Sequence, residues 1–247
     1  MPDVFDAYGR YYDLLYRDKD YDAETEYVAR LLKAHVEGGE LLEFGSGTGR
    51  HGRLLAERGY RVMGVERSVE MIARAEQTPG FSCIQGDICK LHLDRTFDAV
   101  LSLFHVVSYQ TSNASVRAVF DRAAMHLAPG GAFIFDVWYT PAVCAQRPAT
   151  RVKRMSDERV DIIRIAEPRV YPNENRVDVH YTIMVKDRAS ERAQEVTEIH
   201  PMRHFSLPEL DLLAEQSGFE RVVAESFLSG SPPGTDTWGV CLVMRKK

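Results

Sequence analysis

The sequence predicts an α/β chain, in which a parallel sheet buried on both faces carries an inserted antiparallel β-meander. Three observations predict it. Residues 40–146 alternate short, nearly continuous apolar runs with amphipathic stretches, the rhythm of successive βαβ units. Residues 147–206 change to β-branched side chains alternating with charges, broken by turn-forming clusters. From residue 207 the α/β rhythm resumes. A chain of 247 residues is long enough for one such domain with an addition, and buries a sizeable core without disulfides or metals.

The elements follow in order. The first 38 residues are rich in Tyr, Asp and Arg, and Asp22 is placed to cap a helix running to about His35. Ala23, Tyr27, Leu31 and Ala34 share one face of that helix. Glu40–Phe44 reads as a strand, Gly52–Arg58 as a helix stopped by Gly59, and Tyr60–Glu66 as a second strand. Ser68 is an N-cap for a helix over Val69–Glu76. Phe81–Gln85 and Phe97–Phe104 are the next strands. Ala114–Leu127 is a long helix ended by Pro129-Gly130-Gly131, and Ala132–Val137 a fifth strand. The meander strands are Arg151–Met155, Val160–Val170, Val177–Lys186 and Gln194–His204, with turns at 172–175 and 187–190. A helix over Pro208–Ser217 opens with Ser206 and Glu209 at capping-box spacing. Strands Phe219–Phe227 and Gly239–Arg245 complete the chain.

Composition removes whole classes of function. The net charge is −5, so a dedicated nucleic-acid binder is not expected. No apolar run approaches bilayer length, and the first residues lack the basic and apolar regions of a signal peptide. Cys83, Cys89, Cys144 and Cys241 have no CxxC or zinc spacing. These features predict a cytoplasmic protein with reduced thiols, no metal and no membrane partner.

The strongest chemical signal is Leu41-Leu42-Glu43-Phe44-Gly45-Ser46-Gly47-Thr48-Gly49, an apolar strand running into alternating glycines. Such glycines permit a tight turn and let a ligand approach the backbone. Gly47–Gly52 literally matches the GxGxxG dinucleotide fingerprint. It begins three residues beyond the strand, however, and Glu43 is a poor neighbour for a pyrophosphate. Glu66 ends the second strand and suits a ribose diol; Asp87, just past the third, suits an adenine amino group. Together these acids and Gly45–Gly49 describe an adenosine with a cationic arm and no phosphate, which fits S-adenosylmethionine better than NAD.

These residues carry a family likeness. The chain resembles the class I S-adenosylmethionine-dependent methyltransferases through residues 41–49, 62–75, 85–88, 97–104 and 127–138. The resemblance implies a Rossmann-like seven-stranded sheet with an antiparallel last strand. It also implies Met71 on the adenine face, Ser46 and Gly47 against the methionyl arm, and Leu103 at the cofactor's amino group. Arg67 and Ile88, beside the two acids, join the cofactor set. Tyr12 and Tyr21 are candidates to close over the methionyl carboxylate, N-terminal packing being the alternative. A narrower resemblance, to the nucleotide-sugar 3-amino N-methyltransferases, rests on residues 12–21, on Asp136–Pro141 and on Val179-His180-Tyr181. Val106 and Tyr109 stand where that group tends to have a serine and a histidine, and the tail at 230–236 lacks its arginine.

Methyl transfer from a sulfonium releases a neutral thioether, so alignment and exclusion of water matter more than a general acid. An amine acceptor needs only a weak base or a water path; a hydroxyl needs a real base. The catalytic candidates are His105, His180, Tyr109 and Asp136, with Trp138 and Tyr139 as acceptor wall. His200 and His204 are read as structural. Residues 1–38 are expected to cover the cofactor, 39–146 and 207–247 to form its domain, and 147–206 to cover a small-molecule acceptor and offer a homodimer surface. N-methylation of an amino sugar leads this reading. An O-methyltransferase and a noncatalytic S-adenosylmethionine-binding protein are its rivals.

Overall fold

A computed structural model describes residues 12–247, with side chains from Leu14 onward. The side chain of Tyr12 therefore lies outside the described residues. Two helices, α1 (Tyr12–Leu15) and α2 (Tyr21–His35), precede the first strand. The cap of α2 is Asp20, whose side chain accepts from Ala23 N at 2.9 Å, not Asp22. This earlier start makes Tyr21 the first helical residue and rotates the buried face. Tyr21, Thr25, Tyr27, Val28, Leu31 and Leu32 point inward, while Ala23 and Ala34 are exposed.

The next elements are β1 (Glu40–Phe44), α3 (Arg50–Glu57), β2 (Arg61–Glu66), α4 (Val69–Arg74), β3 (Phe81–Gln85) and β4 (Phe97–Ser102). A short 3₁₀ turn over Val106–Tyr109 leads to α5 (Asn113–His126) and β5 (Leu127–Tyr139). The Pro129-Gly130-Gly131 segment does not separate helix from strand but lies within β5. It is absorbed by a register jump against β4, between the Phe97–Leu127 and Ala99–Ala132 pairs, with Gly130 at φ 76°. A helix that sequence reasoning passed over, α6 (Thr140–Gln146), follows, with Pro141 in its first turn.

The meander comprises β6 (Arg151–Ser156), β7 (Val160–Tyr171), β8 (Arg176–Asp187) and β9 (Ala193–Phe205), paired antiparallel in sequence order. Helix α7 (Leu207–Gln216) and strands β10 (Phe219–Ser226) and β11 (Gly239–Lys246) complete the fold. The expected capping box at α7 is not formed. Ser206 makes no side-chain cap, and Glu209 instead takes the Arg203 guanidinium at 2.6 Å.

The central sheet runs β3-β2-β1-β4-β5, then β11 and β10, with β11 antiparallel to both neighbours. This is the seven-stranded arrangement with one reversed strand that the family likeness implied. Its two faces are packed separately. One core gathers Phe44, Phe97, Phe120, Phe133, Phe135 and Phe219 under α5 and α7; the other gathers Val28, Leu31, Leu41, Leu55, Ile134 and Val243 under α2 and α3.

Where β4 leaves β5 at Phe135, β9 takes up β5, pairing Trp138 with His204 and Tyr139 with Phe205. The meander is thus hydrogen-bonded onto the carboxyl end of the sheet, where open α/β sheets bind ligands. Lys153 of β6 bonds Leu15 O at 3.1 Å and pairs with Asp18 at 3.1 Å, tying the meander to the N-terminal segment. Among the described residues, no helix is long and apolar enough to cross a membrane and no metal-holding cluster occurs. The four cysteines are free thiols, Cys83 and Cys241 buried and Cys144 exposed.

Candidate active site

The glycine loop is built from its neighbours. Gly45 N and Ser46 N both donate to Val65 O, at 2.8 and 3.2 Å, so the loop folds back over β2. Gly47, at φ 56°, has nothing within 4 Å of where a Cβ would stand; it faces open cavity. Gly52 answers to a different constraint. A Cβ there would meet the Phe81 ring at 2.4 Å and Glu43 Oε2 at 2.8 Å, so the third glycine of the literal GxGxxG match lets α3 pack on the sheet.

Above the loop lies a cavity of about 530 Å³. Of the residues singled out in the sequence, Tyr21, Gly45, Ser46, Gly47, Glu66, Arg67, Met71, Asp87, Ile88, Leu103, His105, Tyr109 and Trp138 line it. Glu66 is held by backbone donors: Gly47 N at 2.9 Å on Oε2, and Arg67 N and Ser68 N at 2.8 and 2.9 Å on Oε1. Asp87 accepts from Cys89 N at 2.9 Å. Two carboxylates thereby project acceptor capacity, and no donor, into one end of the cavity. Tyr21 lines the cavity near Phe104: Lys19 lies over both rings, at 4.7 and 4.1 Å, and Arg50 over Tyr21 at 4.3 Å, while Glu24 accepts both Lys19 and His51. Burial alone would raise the Glu24 carboxyl, but the His51 hydrogen bond and the Lys19 charge outweigh it and hold it below the usual range.

At the other end the chain turns sharply after β4. Phe104 and His105 are consecutive non-glycine residues with φ 63°, a costly backbone that persists only where the surroundings enforce it. Asp136 enforces it here. It is 1% exposed, accepts from His105 N at 3.2 Å, and has Oδ2 2.6 Å from His105 Nδ1. Burial favours its neutral form, yet the His105 charge and hydrogen bonds prevail and keep the carboxyl below its ordinary range. Ser108 Oγ accepts from Trp138 N at 3.1 Å, which pins the 3₁₀ turn to β5.

Four candidates do not line the cavity. Asp136 is sealed beneath His105 and reaches the site only through it. His180 has the wrong strand phase. Val179 and Tyr181 face the cavity, so the residue between them points to the outer face, opposite exposed Ile199. Tyr139 likewise alternates with Trp138 and packs on the phenylalanine core. Glu43 lies under the glycine loop at 2% exposure. Burial, with the Glu66 charge, pushes its carboxyl up to about 8 against a hydrogen bond from Gly52, and its Oε2 has no hydrogen-bond partner.

Sequence reasoning missed Tyr16, Arg50, Arg164, Tyr181, His200 and Met202, which also line the cavity. His200, which the sequence reads as structural, has a side chain 3% exposed and bonds the Tyr109 hydroxyl at 2.9 Å. The available signal was strand phase. Glu198 and His200 stand two apart on an alternating strand, so one face carries both.

A family model described as a methyltransferase domain matches residues 41–131. Over 232 residues the chain is 29% identical to a Streptomyces venezuelae protein, dTDP-3-amino-3,4,6-trideoxy-alpha-D-glucopyranose N,N-dimethyltransferase, covering 90% of this chain and 92% of that one. Among solved structures it is similar to S-adenosylmethionine-bound CalS10, an amino pentose methyltransferase from Micromonospora echinaspora, with a TM-score of 0.78 and 25% identity over 100% of this chain and 99% of that one. DesVI of Streptomyces venezuelae shares the fold, with a TM-score of 0.81 at 24% identity over 97% and 98% of the two chains.

Proposed function

For this chain, an S-adenosylmethionine-dependent methyltransferase, we propose that the acceptor is the amino group of a nucleotide-linked amino sugar. The observation that carries this is the extent of the likeness. A continuous match over 90% of the chain has to include the whole meander, whose Arg164, Val179, Tyr181, His200 and Met202 line the cavity. The site itself fits the cofactor. Glu66 and Asp87 offer acceptors suited to a ribose diol and an adenine amino group, and would repel the phosphates of a dinucleotide. The open space at Gly47 is the cradle a Cβ would fill.

When bound, S-adenosylmethionine supplies an electrophilic methyl group on a cationic sulfur that leaves as a neutral thioether. The residues of this chain do the rest. Tyr21, Met71 and Leu103 enclose the cofactor end of the cavity. Trp138 and Tyr181 close the acceptor end, excluding water and orienting the nucleophile. His105, with Nδ1 2.6 Å from Asp136 Oδ2, stands at the boundary between them, and in its neutral form Nε2 is the nitrogen left to accept a proton.

The test is formation of S-adenosylhomocysteine with a dTDP-linked 3-amino sugar, against the 3-hydroxy analogue. Turnover only with the hydroxyl compound would defeat the reading. The His105–Asp136 pair favours that second reading, O-methylation, because a carboxylate-oriented imidazole is the base a hydroxyl requires.

A further inference from the structure

On the acceptor side, three side chains form a line separate from the His105–Asp136 pair. The Tyr109 hydroxyl lies 2.9 Å from His200 Nδ1, and His200 Nε2 lies 3.0 Å from Glu198 Oε2. Tyr109 ends the 3₁₀ turn, while Glu198 and His200 project from one face of β9. Tyr109 and His200 both line the cavity, and the Glu198 side chain, 10% exposed, reaches the surface. A carboxylate on Nε2 fixes that nitrogen as the protonated one, which leaves Nδ1 to accept from the tyrosine. Tyr181, opposite Glu198 in register, packs edge-on to the imidazole at 4.8 Å.

We propose that Tyr109, His200 and Glu198 form a relay that deprotonates the acceptor ammonium, which extends the amine reading above and rests on it. An amino sugar is protonated near neutral pH, and the ammonium has no electron pair to attack with. In the relay, one acceptor N–H bond breaks and an O–H bond forms on Tyr109. The O–H bond already on Tyr109 breaks, and an N–H bond forms at His200 Nδ1. The amine keeps the electron pair and becomes the nucleophile. The imidazolium is stabilised by the Glu198 carboxylate, and the proton leaves to solvent at that end. Tyr109 meets the acceptor; His200 and Glu198 act through it and are positioning residues. Tyr181 faces the imidazole, and Arg164, over the Tyr181 ring at 5.4 Å, and Tyr16 act on Tyr181 in turn. Burial, and then the Tyr16 charge, push the Tyr181 phenol up to about 12, so it stays neutral through the working range.

The experiment compares the intact enzyme with Tyr109→Phe, His200→Gln and Glu198→Gln, using S-adenosylmethionine and a dTDP-linked 3-amino sugar between pH 6.5 and 9. Expected are unchanged S-adenosylmethionine affinity by calorimetry and a kcat loss of roughly tenfold to a hundredfold at pH 7. That loss should shrink to within about threefold at pH 9, where solution already supplies free amine. Glu198→Asp should recover part of the rate. A loss of the same factor at every pH, or no loss, overturns the relay while leaving the amine reading intact. Wild-type enzyme that turns over no amino sugar overturns both. Should His200→Gln fail to fold, Glu198→Gln carries the same prediction.

Discussion

At the scale of single residues, the two ends of the cavity make different demands. On the proposed reading Glu66 gives the cofactor charge-assisted acceptors, so Glu66→Ala should weaken S-adenosylmethionine binding by about 1.5–3 kcal/mol. Gly47→Val should abolish binding, because φ 56° is a backbone that a β-branched residue resists and its Cβ would enter the cavity. Calorimetry on the folded variants checks both, and unchanged affinity would refute the site. His105→Asn bears on the acceptor. With an amine, proximity supplies most of the acceleration, and kcat should fall roughly tenfold to a hundredfold. A loss near 10⁴ with both ligands still bound would mean a hydroxyl acceptor with a dedicated base. Residues lining the glycine-loop end of the cavity were legible in the sequence, Glu43 excepted, because their placement depends on local backbone: a strand end, a glycine turn, a helix start. Of the other candidates, His105, Tyr109 and Trp138 line the cavity, while His180 and Tyr139 do not. Whether His180 or Tyr181 faces the cavity depends on one step of strand phase, and that phase is set by how β9 docks on β5.

At the scale of elements, patterning placed nearly every strand, and the four meander strands lie within two residues of the sequence boundaries. Capping was read less well, for a physical reason. The N-cap of α5 is Ser112, which receives Ser115 N at 3.0 Å while Ser115 Oγ accepts in return from Ser112 N. At α7 the spacing is just as good, but Arg203 of β9 competes for Glu209, and Pro208 removes one of the amides a cap would serve. A tertiary ion pair thus overrides a local motif. Ser112→Ala should therefore cost about 1 kcal/mol in denaturant unfolding. Ser206→Ala should cost less than half as much; equal losses would show that α7 is capped in solution. The helix over residues 140–146 and the 3₁₀ turn escaped notice because both are shorter than the window in which helical periodicity declares itself.

At the scale of the whole molecule, two buried groups should shape stability against pH. Glu43, near 4.5 when unfolded, is pushed up to about 8 by burial, so the folded chain retains a proton that the unfolded chain has lost. Its contribution falls as pH rises from about 4.5 to 8. His204, near 6.5 unfolded, is held down to about 4 by burial and the Arg203 charge, so its contribution falls in the other direction, as pH drops from 6.5 to 4. The two slopes oppose each other between 4.5 and 6.5, and above 6.5 Glu43 acts alone. Thermal unfolding of the ligand-free protein should lose on the order of 5 °C between pH 6.5 and 8, and Glu43→Gln should flatten that decline. A variant that declines in parallel with wild type would assign the slope elsewhere. The course of β11 has a further consequence. This strand lies between β5 and β10, pairing Ala132–Trp138 with residues 239–245, about a hundred positions later. During synthesis β1–β5 can assemble while β5 still shows an open edge, and the whole meander must be made before its partner arrives. Nascent chains stalled before residue 239 should therefore carry a formed glycine loop beside an adhesive strand edge, a species for chaperones to shield until the final strand slides in.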